Sequence, residues 1–455
     1  MMNFSQKNVA VLGLGIEGQD VCQFLIKRGA RITVFDQKIT SELGKTAKRL
    51  KDRGIKLKLG KSYLENGLGE FDVIFRSPAF KISLPAIVKA KKKGSKISSA
   101  TELFFKTCPA KIIGVTGTKG KGTTSTLIYK ILKRAGKRVF LAGNIGQPML
   151  ALLPKLDRKS WVVLELSSFQ LQSLNFSPHI AVVLFITSEH LDYHRNIEEY
   201  IRAKSNIIRH QNKDNFAILN ADNTTSSSFS RLTPAKIFYF SRHKKVNGAM
   251  VINKKIMLTD KVIGPTKNLK LKGEHNWDNV CAAITAVNCI GINKEIIQKE
   301  IFSFKGLEHR LELVTTIKKV SFYNDSFSTT PETAIAAIKA FQKPIILIAG
   351  GSEKGSNYSQ LGKEIAKSTV KILILIGLTA KRIRRAARSA GWQGEIIYQP
   401  GEMKKIIKIA FKKARPNNII LLSPACASFG MFKNYKDRGN QFKKNVKKLN
   451  GEKTI

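Results

Sequence analysis

Residues 111–126 read KIIGVTGTKGKGTTST. Ile112 to Val115 predicts a short buried strand, the Gly/Thr/Lys-rich run after it a tight loop, and Leu127 to Leu132 the apolar face of a helix. A glycine loop that opens a helix turns several backbone N–H groups, and the helix's positive end, toward one point. The order is therefore that of an anion site, with phosphate as its guest. In this reading Gly117, Thr118, Lys119, Gly120 and Gly122 line the phosphates, Lys121 reaches the terminal ones, and Thr123 or Thr124 offers a hydroxyl to Mg²⁺. Gly122 stands where Ser or Thr usually follows the lysine. The bland alternative, a glycine-rich turn with a solvated lysine, does not explain why a strand precedes and a helix follows.

Upstream, residues 8–36 read NVAVLGLGIEGQDVCQFLIKRGARITVFD. This is strand, G-x-G-x-x-G (Gly13, Gly15, Gly18, with Ile16 and Glu17 between), amphipathic helix and second strand ending in Asp36. The glycines serve a tight turn against a phosphate and the acidic residue a ribose hydroxyl, which specifies a nucleotide near Gly15 and says less about NAD. Further strand and helix patterns at Ile55 to Leu59, Phe71 to Phe75, Leu84 to Lys93 and Lys96 to Ser98 complete a Rossmann-like domain over residues 1–106, with Thr107 to Ala110 as linker.

Downstream, Arg138 to Leu141 reads as a strand running into Gly143-Asn144-Ile145-Gly146. Trp161 to Leu164 delivers Glu165 at its carboxyl end in ELSSFQL, and Ala181 to Phe185 delivers TSEHLDYH. Ligands collect at the carboxyl ends of parallel strands, so Glu165 and His190 are expected to converge on the phosphate loop, where a carboxylate would hold Mg²⁺. His190 and His194 stand four apart, but Leu191 occupies the place where a zinc protease needs glutamate, which leaves His190 for Mg²⁺ and His194 for the surface or for packing. Lys204, on a helix over Glu198 to His210, reads by itself as solvated. A hairpin is expected around Val251 to Leu258, helices at Trp277 to Ile290 and Lys294 to Phe304, and a boundary at Lys305-Gly306. Strands at Val320 to Tyr323, Ile345 to Ala349, Ile372 to Ile376 and Ile419 to Leu422, each followed by a polar or glycine loop, describe a third α/β unit with Asp325 at a strand end and Pro331 at a helix start. The fold class is α/β, three Rossmann-like domains in series: an N-terminal nucleotide-binding domain (1–106), a central P-loop ATPase-like domain (107–307) and a C-terminal domain (308–455).

At 455 residues and 50.7 kDa the chain has room for two or three cores. No stretch of ~20 uninterrupted apolar residues predicts a membrane span, and the start lacks the pattern of a signal peptide. The five cysteines are scattered and in no metal-ligand spacing, as suits a reducing cytoplasm. The net charge of +47, from 79 Lys and Arg against 32 Asp and Glu, invites a nucleic-acid reading. The lysines are spread along the whole chain, however, and no basic run is interleaved with aromatics as a base-stacking platform needs.

Nine motifs in one order, GVTGTKGKGTT, GNIG, ELSSFQL, SEHLDYH with Lys204 following, GEHNWDN, GLEHRLE, NDSFSTTPE, GGSEKGSNYS and LSPACASFGMFKNYKDRGNQF, resemble the ATP-dependent Mur ligases over nearly the whole chain. The resemblance implies an amide-forming ligase of peptidoglycan precursor synthesis, using ATP and two Mg²⁺ ions to join D-glutamate to UDP-N-acetylmuramoyl-L-alanine through an acyl phosphate. It implies that Glu165, His190 and Thr123 serve metal and that Lys204 is carbamylated into a ligand for the second ion. Asn144 would contact the acyl-phosphate region. Asn276, Arg310 and Asp325 would contact ATP, and Lys354, Ser428, Phe429 and Tyr435 would form the glutamate pocket. The first-domain residues Gly13, Gly15, Ile16, Glu17, Gly18 and Asp36, with Ser168, would bind the uridine nucleotide substrate rather than NAD. The protein would be a cytoplasmic monomer with no nucleic-acid partner.

Lys119 and Gly122 give a loop closer to folylpolyglutamate synthase, in the same superfamily; Phe327 stands where a lysine is common, and Glu17 and Ala79 replace residues often Thr and Gly. Four other readings remain to be weighed. A superfamily ligase for another amino acid keeps every motif. Folylpolyglutamate synthase lacks the first domain, an NAD(P)-dependent dehydrogenase leaves the phosphate loop and third domain unexplained, and a basic nucleic-acid-associated NTPase draws on charge and loop alone.

Overall fold

In the computed structural model the short apolar runs form strands, most of them parallel, and the stretches between them form crossover helices. The structure describes residues 3–65, 67–189, 193–271, 273–353, 355–399, 401–428 and 430–449. The first sheet comprises β1 (Asn8–Leu12), β2 (Arg31–Asp36), β3 (Lys56–Leu59), β4 (Val73–Arg76) and β5 (Lys96–Ser98), in the parallel order β3-β2-β1-β4-β5. The winding reverses between β1 and β4, so the loops after these two strands border the crevice where such sheets take ligands.

The second sheet holds β6 (Lys111–Thr116), β7 (Val139–Gly143), β8 (Trp161–Glu165), β9 (Ile180–Val183), β10 (Phe216–Asn220) and β11 (Lys236–Phe240), all parallel in the order β11-β10-β9-β6-β8-β7. Its central strands are apolar on both faces, as burial beneath helices on each side requires. An antiparallel sheet of β12 (Ala249–Ile252), β13 (Lys255–Leu258) and β14 (Lys261–Pro265) follows, so the expected hairpin gains a third strand.

One hydrophobic core runs through the first two sheets. Val9, Val11 and Leu25 of the first, Phe104 of the connecting helix Ala100–Thr107, and Ala142, Leu150 and Leu164 of the second belong to a single cluster. The chain accordingly divides into two compact units, Met1–Leu269 with Glu274–Phe302, and Lys270–Gly273 with Ser303–Ile455.

The second unit is built on β15 (Glu312–Ile317), β16 (Val320–Asn324), β17 (Ile345–Gly351), β18 (Val370–Gly377), β19 (Glu395–Tyr398) and β20 (Ile419–Leu422), in the order β15-β16-β20-β17-β18-β19 with only β15 antiparallel. Strand alternation divides its interior: Ile345, Leu347 and Ala349 enter one core, Ile346 and Ile348 the other. Sequence patterning anticipates neither β15 nor β19, the two edge strands. Among the described residues no helix is long and apolar enough to cross a membrane.

Arg438, on the final helix Tyr435–Leu449, has no exposed surface and ties two strand ends together. Its guanidinium donates to the carbonyls of Ser326 at 2.9 Å and Cys426 at 3.1 Å, and to Ser326 Oγ at 3.0 Å. Arg438→Ala should leave these acceptors unsatisfied beside a cavity and destabilise the second unit by about 3 kcal/mol. Hydrogen exchange at β16 and β20 should then quicken while exchange in β1 and β6 stays unchanged.

Candidate active site

The loop at 117–120 is held open by backbone geometry. Gly117 (φ +149°) and Gly120 (φ +89°) lie where side-chain-bearing residues are strained, and a Cβ at Gly120 would sit 2.1 Å from Asn279 Oδ1. The helix therefore begins at Lys121, immediately after a left-handed residue, and runs to Arg134. Thr118 joins the loop to its surroundings: its hydroxyl donates to the Thr187 carbonyl at 3.0 Å, Thr187 N donates back at 2.9 Å, and Tyr200 Oη lies 3.0 Å away.

Two amines converge on one oxygen. Lys121 Nζ donates to the Gly117 carbonyl at 3.0 Å and to the Thr118 carbonyl at 3.0 Å; Lys204 Nζ donates to the same Gly117 carbonyl at 2.8 Å. Lys204 is only 1% exposed, and its amine lies 4.6 Å from the centre of the Tyr200 ring. Loss of solvent, then the neighbouring Lys121 charge, push its pKa well below the ordinary lysine value, with Glu189 and Glu165 opposing. The lysine that reads as solvated from its sequence is therefore a buried amine whose charged form is disfavoured.

Glu165 stands at the end of β8, 4% exposed. Its Oε1 accepts from Asn144 Nδ2 at 3.2 Å, while Asn144 N donates to the Glu165 carbonyl at 3.0 Å. Oε2 is buried with no hydrogen-bond partner among the described residues. An orphaned carboxylate oxygen calls for a cation or ordered water, so the donor set fits a hard divalent ion. No three His, Cys, Asp or Glu side chains converge among the described residues, which leaves Thr123, 9% exposed at the helix start, and Lys204 as the other groups near the loop. His190, Lys354 and Phe429 lie outside the described residues. His194 is a packing histidine: it stacks on Phe169 and approaches Ser168 Oγ at 3.0 Å. Asn276 and Asn279 bond at 2.9 Å, and Asn279 in turn accepts from Thr124 at 3.3 Å.

In the first sheet, Asp36 turns both carboxylate oxygens to backbone: Leu14 N at 2.6 Å and Lys38 N at 2.9 Å. It shapes the glycine loop, a role the ribose expectation did not include. Ile16 is 74% exposed beside that loop. Three groups escaped the sequence reading. Arg76, at the end of β4 and 3% exposed, donates to the Phe80 carbonyl at 2.6 Å, Tyr193 Oη at 3.0 Å and the Phe169 carbonyl at 3.3 Å. Gln170 reaches Glu17, and Asp20 reaches Leu150. The available signal was an arginine closing an apolar strand and two acids one helical turn apart.

In the second unit Asp325 accepts from Ser423 Oγ at 2.8 Å, Leu311 N at 3.1 Å and the Ser328 hydroxyl. The Arg310 guanidinium lies 3.8 Å from the centre of the Phe327 ring, and Tyr435 meets that ring edge-on at 5.0 Å. Ser428 is buried after β20.

Three family profiles match: the Mur ligase MurD-like N-terminal domain over residues 7–99, the Mur ligase middle domain over 115–287 and the Mur ligase glutamate ligase domain over 309–426. The UDP-N-acetylmuramoylalanine--D-glutamate ligase of Clostridium kluyveri is 40% identical over 444 residues, 97% of this chain and 96% of its own length. The protein of the same name from Clostridium botulinum strain Loch Maree is 40% identical over 448 residues, 97% of each. Among solved structures, the MurC ligase of Thermotoga maritima has a TM-score of 0.61 at 17% identity, covering 98% of this chain and all of its own. MurF from the same organism, solved with ADP, gives 0.57 at 16% identity, covering 98% of this chain and 96% of its own.

Burial raises Asp325 to about 6, against the pull of the serine hydroxyls, Leu311 N and Arg310. Between the ordinary aspartate value near 4 and about 6, the unfolded chain releases a proton that the folded one keeps. The stability this group contributes is thus full below that window and is lost as pH rises through it. Asp325→Asn should flatten the dependence of the second unit's stability on pH between about 4 and 6, measured by urea unfolding at a series of pH values.

Proposed function

The chain belongs to the Mur ligase family, and from that premise we propose that it joins D-glutamate to UDP-N-acetylmuramoyl-L-alanine, driven by ATP, in peptidoglycan precursor synthesis. The alanine carboxylate attacks the γ-phosphorus of ATP, releasing ADP and forming an acyl phosphate. The amine of glutamate then attacks the acyl carbon, inorganic phosphate leaves, and the amine gives up a proton. Neither step needs a protein nucleophile. Both need anionic groups brought together and their charge offset.

The shared Gly117 carbonyl carries this reading, because it sets two lysine amines of different character at one phosphate loop. Lys121, the less buried of the two, would swing from its loop carbonyls to the terminal phosphates. Lys204 is the buried one, its pKa pushed down by loss of solvent, which favours the free amine that can add CO₂: the lone pair forms an N–C bond, a proton departs, and a carbamate replaces the amine. Glu165, the Lys204 carbamate, Thr123 and His190 would then hold two Mg²⁺ ions, which supply charge neutralisation around the transferring phosphoryl oxygens. Asn144, bonded to Glu165, is assigned to the acyl-phosphate region. The loop residues Gly117 to Thr124, with Asn276, Arg310 and Asp325, are assigned to ATP. Gly13, Gly15, Ile16 and Gly18, with Ser168, are assigned to the uridine nucleotide, and Lys354, Ser428, Phe429 and Tyr435 to glutamate. The five cysteines are free thiols, which suits the cytoplasm, and the family resemblance implies a monomer.

Phosphate release with ATP, Mg²⁺ and UDP-N-acetylmuramoyl-L-alanine should be stimulated by D-glutamate and not by L-glutamate, L-alanine or a diamino acid. Stimulation by none of them would sink the ligase reading. Lys121→Ala should lower kcat by about 10³. Lys204→Ala should lose comparable activity but regain part of it in acetate, which can stand in for the carbamate; wild-type turnover in this variant would refute the assignment.

A further inference from the structure

The helix Ile16–Ile26 opens directly from the glycine loop of the first sheet, and two of its acids leave that sheet's own module. Glu17 and Asp20 stand three residues apart, hence on one face. Asp20, 6% exposed, accepts from Leu150 N at 2.8 Å, and the Ala151 amide bonds it as well. These amides belong to the short helix Met149–Leu152, which follows the loop carrying Asn144. Glu17 Oε1 accepts from Gln170 Nε2 at 2.6 Å. Gln170 Oε1 in turn accepts from Ser167 N at 2.9 Å, which fixes the orientation of the amide. Ser167 lies two residues beyond Glu165.

One helix face thus grips the short helices that follow β7 and β8, and the C-terminal ends of those strands meet in the 3.2 Å contact of Asn144 with Glu165. Arg76 strengthens the junction through the Phe169 carbonyl. A continuous chain of bonds connects the glycine loop, through Glu17 and Gln170, to the strand end that holds Glu165. Burial raises both carboxyl pKa values, and the amide hydrogen bonds oppose that rise. Glu17 Oε2 is itself buried without a hydrogen-bond partner among the described residues, while the bonds of Glu17 Oε1 and Asp20 favour one arrangement, because a slip would break them.

Resting on the ligase reading above, we propose that Glu17 and Asp20 are positioning residues. They hold Glu165 and Asn144 in register with the acceptor nucleotide on the glycine loop, so that filling that loop and filling the ATP site are coupled.

The test is the dissociation constant of a non-hydrolysable ATP analogue with Mg²⁺, measured by calorimetry with and without saturating UDP-N-acetylmuramoyl-L-alanine. The wild type should bind the analogue about tenfold more tightly with the acceptor present, within the range usual for coupled sites. Glu17→Thr, which is too short to reach Gln170, and Asp20→Ala should reduce that factor to within about twofold of unity and lower kcat, leaving analogue affinity without acceptor unchanged. Glu17→Gln and Asp20→Asn keep an oxygen acceptor and should restore both coupling and kcat. Thermal unfolding selects the variants to compare; should Asp20→Ala not fold, Glu17→Thr alone decides. A folded Glu17→Thr enzyme with wild-type coupling and kcat would overturn the proposal, as would a wild type that ligates but shows no coupling. A wild type without ligation would fail the function reading instead.

Discussion

A carbonyl oxygen shared by two lysine amines is the constraint on which the centre of this molecule depends. Charging both amines at Gly117 would set like charges together in a place with little water, and both desolvation and Coulomb repulsion oppose that. The fold resolves the conflict by exposure. Lys121 begins a helix beside the open loop, whereas Lys204 comes from the middle of the helix Ile197–Arg209 and is shut in against Tyr200. The same side-chain chemistry thereby gives one partly exposed amine and one buried amine at a single carbonyl.

That arrangement needs a rigid frame, and the frame extends beyond the central sheet. The shared hydrophobic core fastens the first sheet to the second, while Arg76, Glu17 and Asp20 supply the directional contacts that fix how they face each other. Apolar burial alone tolerates small slips, whereas buried hydrogen bonds do not. Nucleotide loop and phosphate loop therefore belong to one compact unit, although each has its own α/β sheet.

The sequence made legible whatever depends on local backbone chemistry. Glycines at 117 and 120 specify left-handed or close-approach positions whatever surrounds them, and apolar runs such as 345–349 specify buried strands. It was silent on the two edge strands of the second unit: β15 and β19 are partly exposed and show neither a continuous apolar run nor clean alternation. Its own helix places Lys204 on the buried face with Tyr200, Ile207 and Ile208, but the acceptor of its amine, the Gly117 carbonyl, lies 87 residues earlier and could not be read locally. Family resemblance pointed to Lys204 where local pattern did not. Asp36 shows the converse, since its fingerprint position is legible while its two bonds to backbone amides are not.

Phe327 shows how a departure from the family pattern can be absorbed. A lysine at that position would bring a mobile cation next to Asp325; the aromatic ring brings none, but it offers a face to Arg310 at 3.8 Å and an edge contact to Tyr435. A guanidinium over a ring keeps its charge and loses much of its freedom. A positive charge therefore stands near the β16 terminus, held by packing against the ring. Arg310 also lowers the cost of ionising Asp325, which burial raises. The substitution thus leaves a cation beside the buried acid and makes its position depend on the aromatic wall.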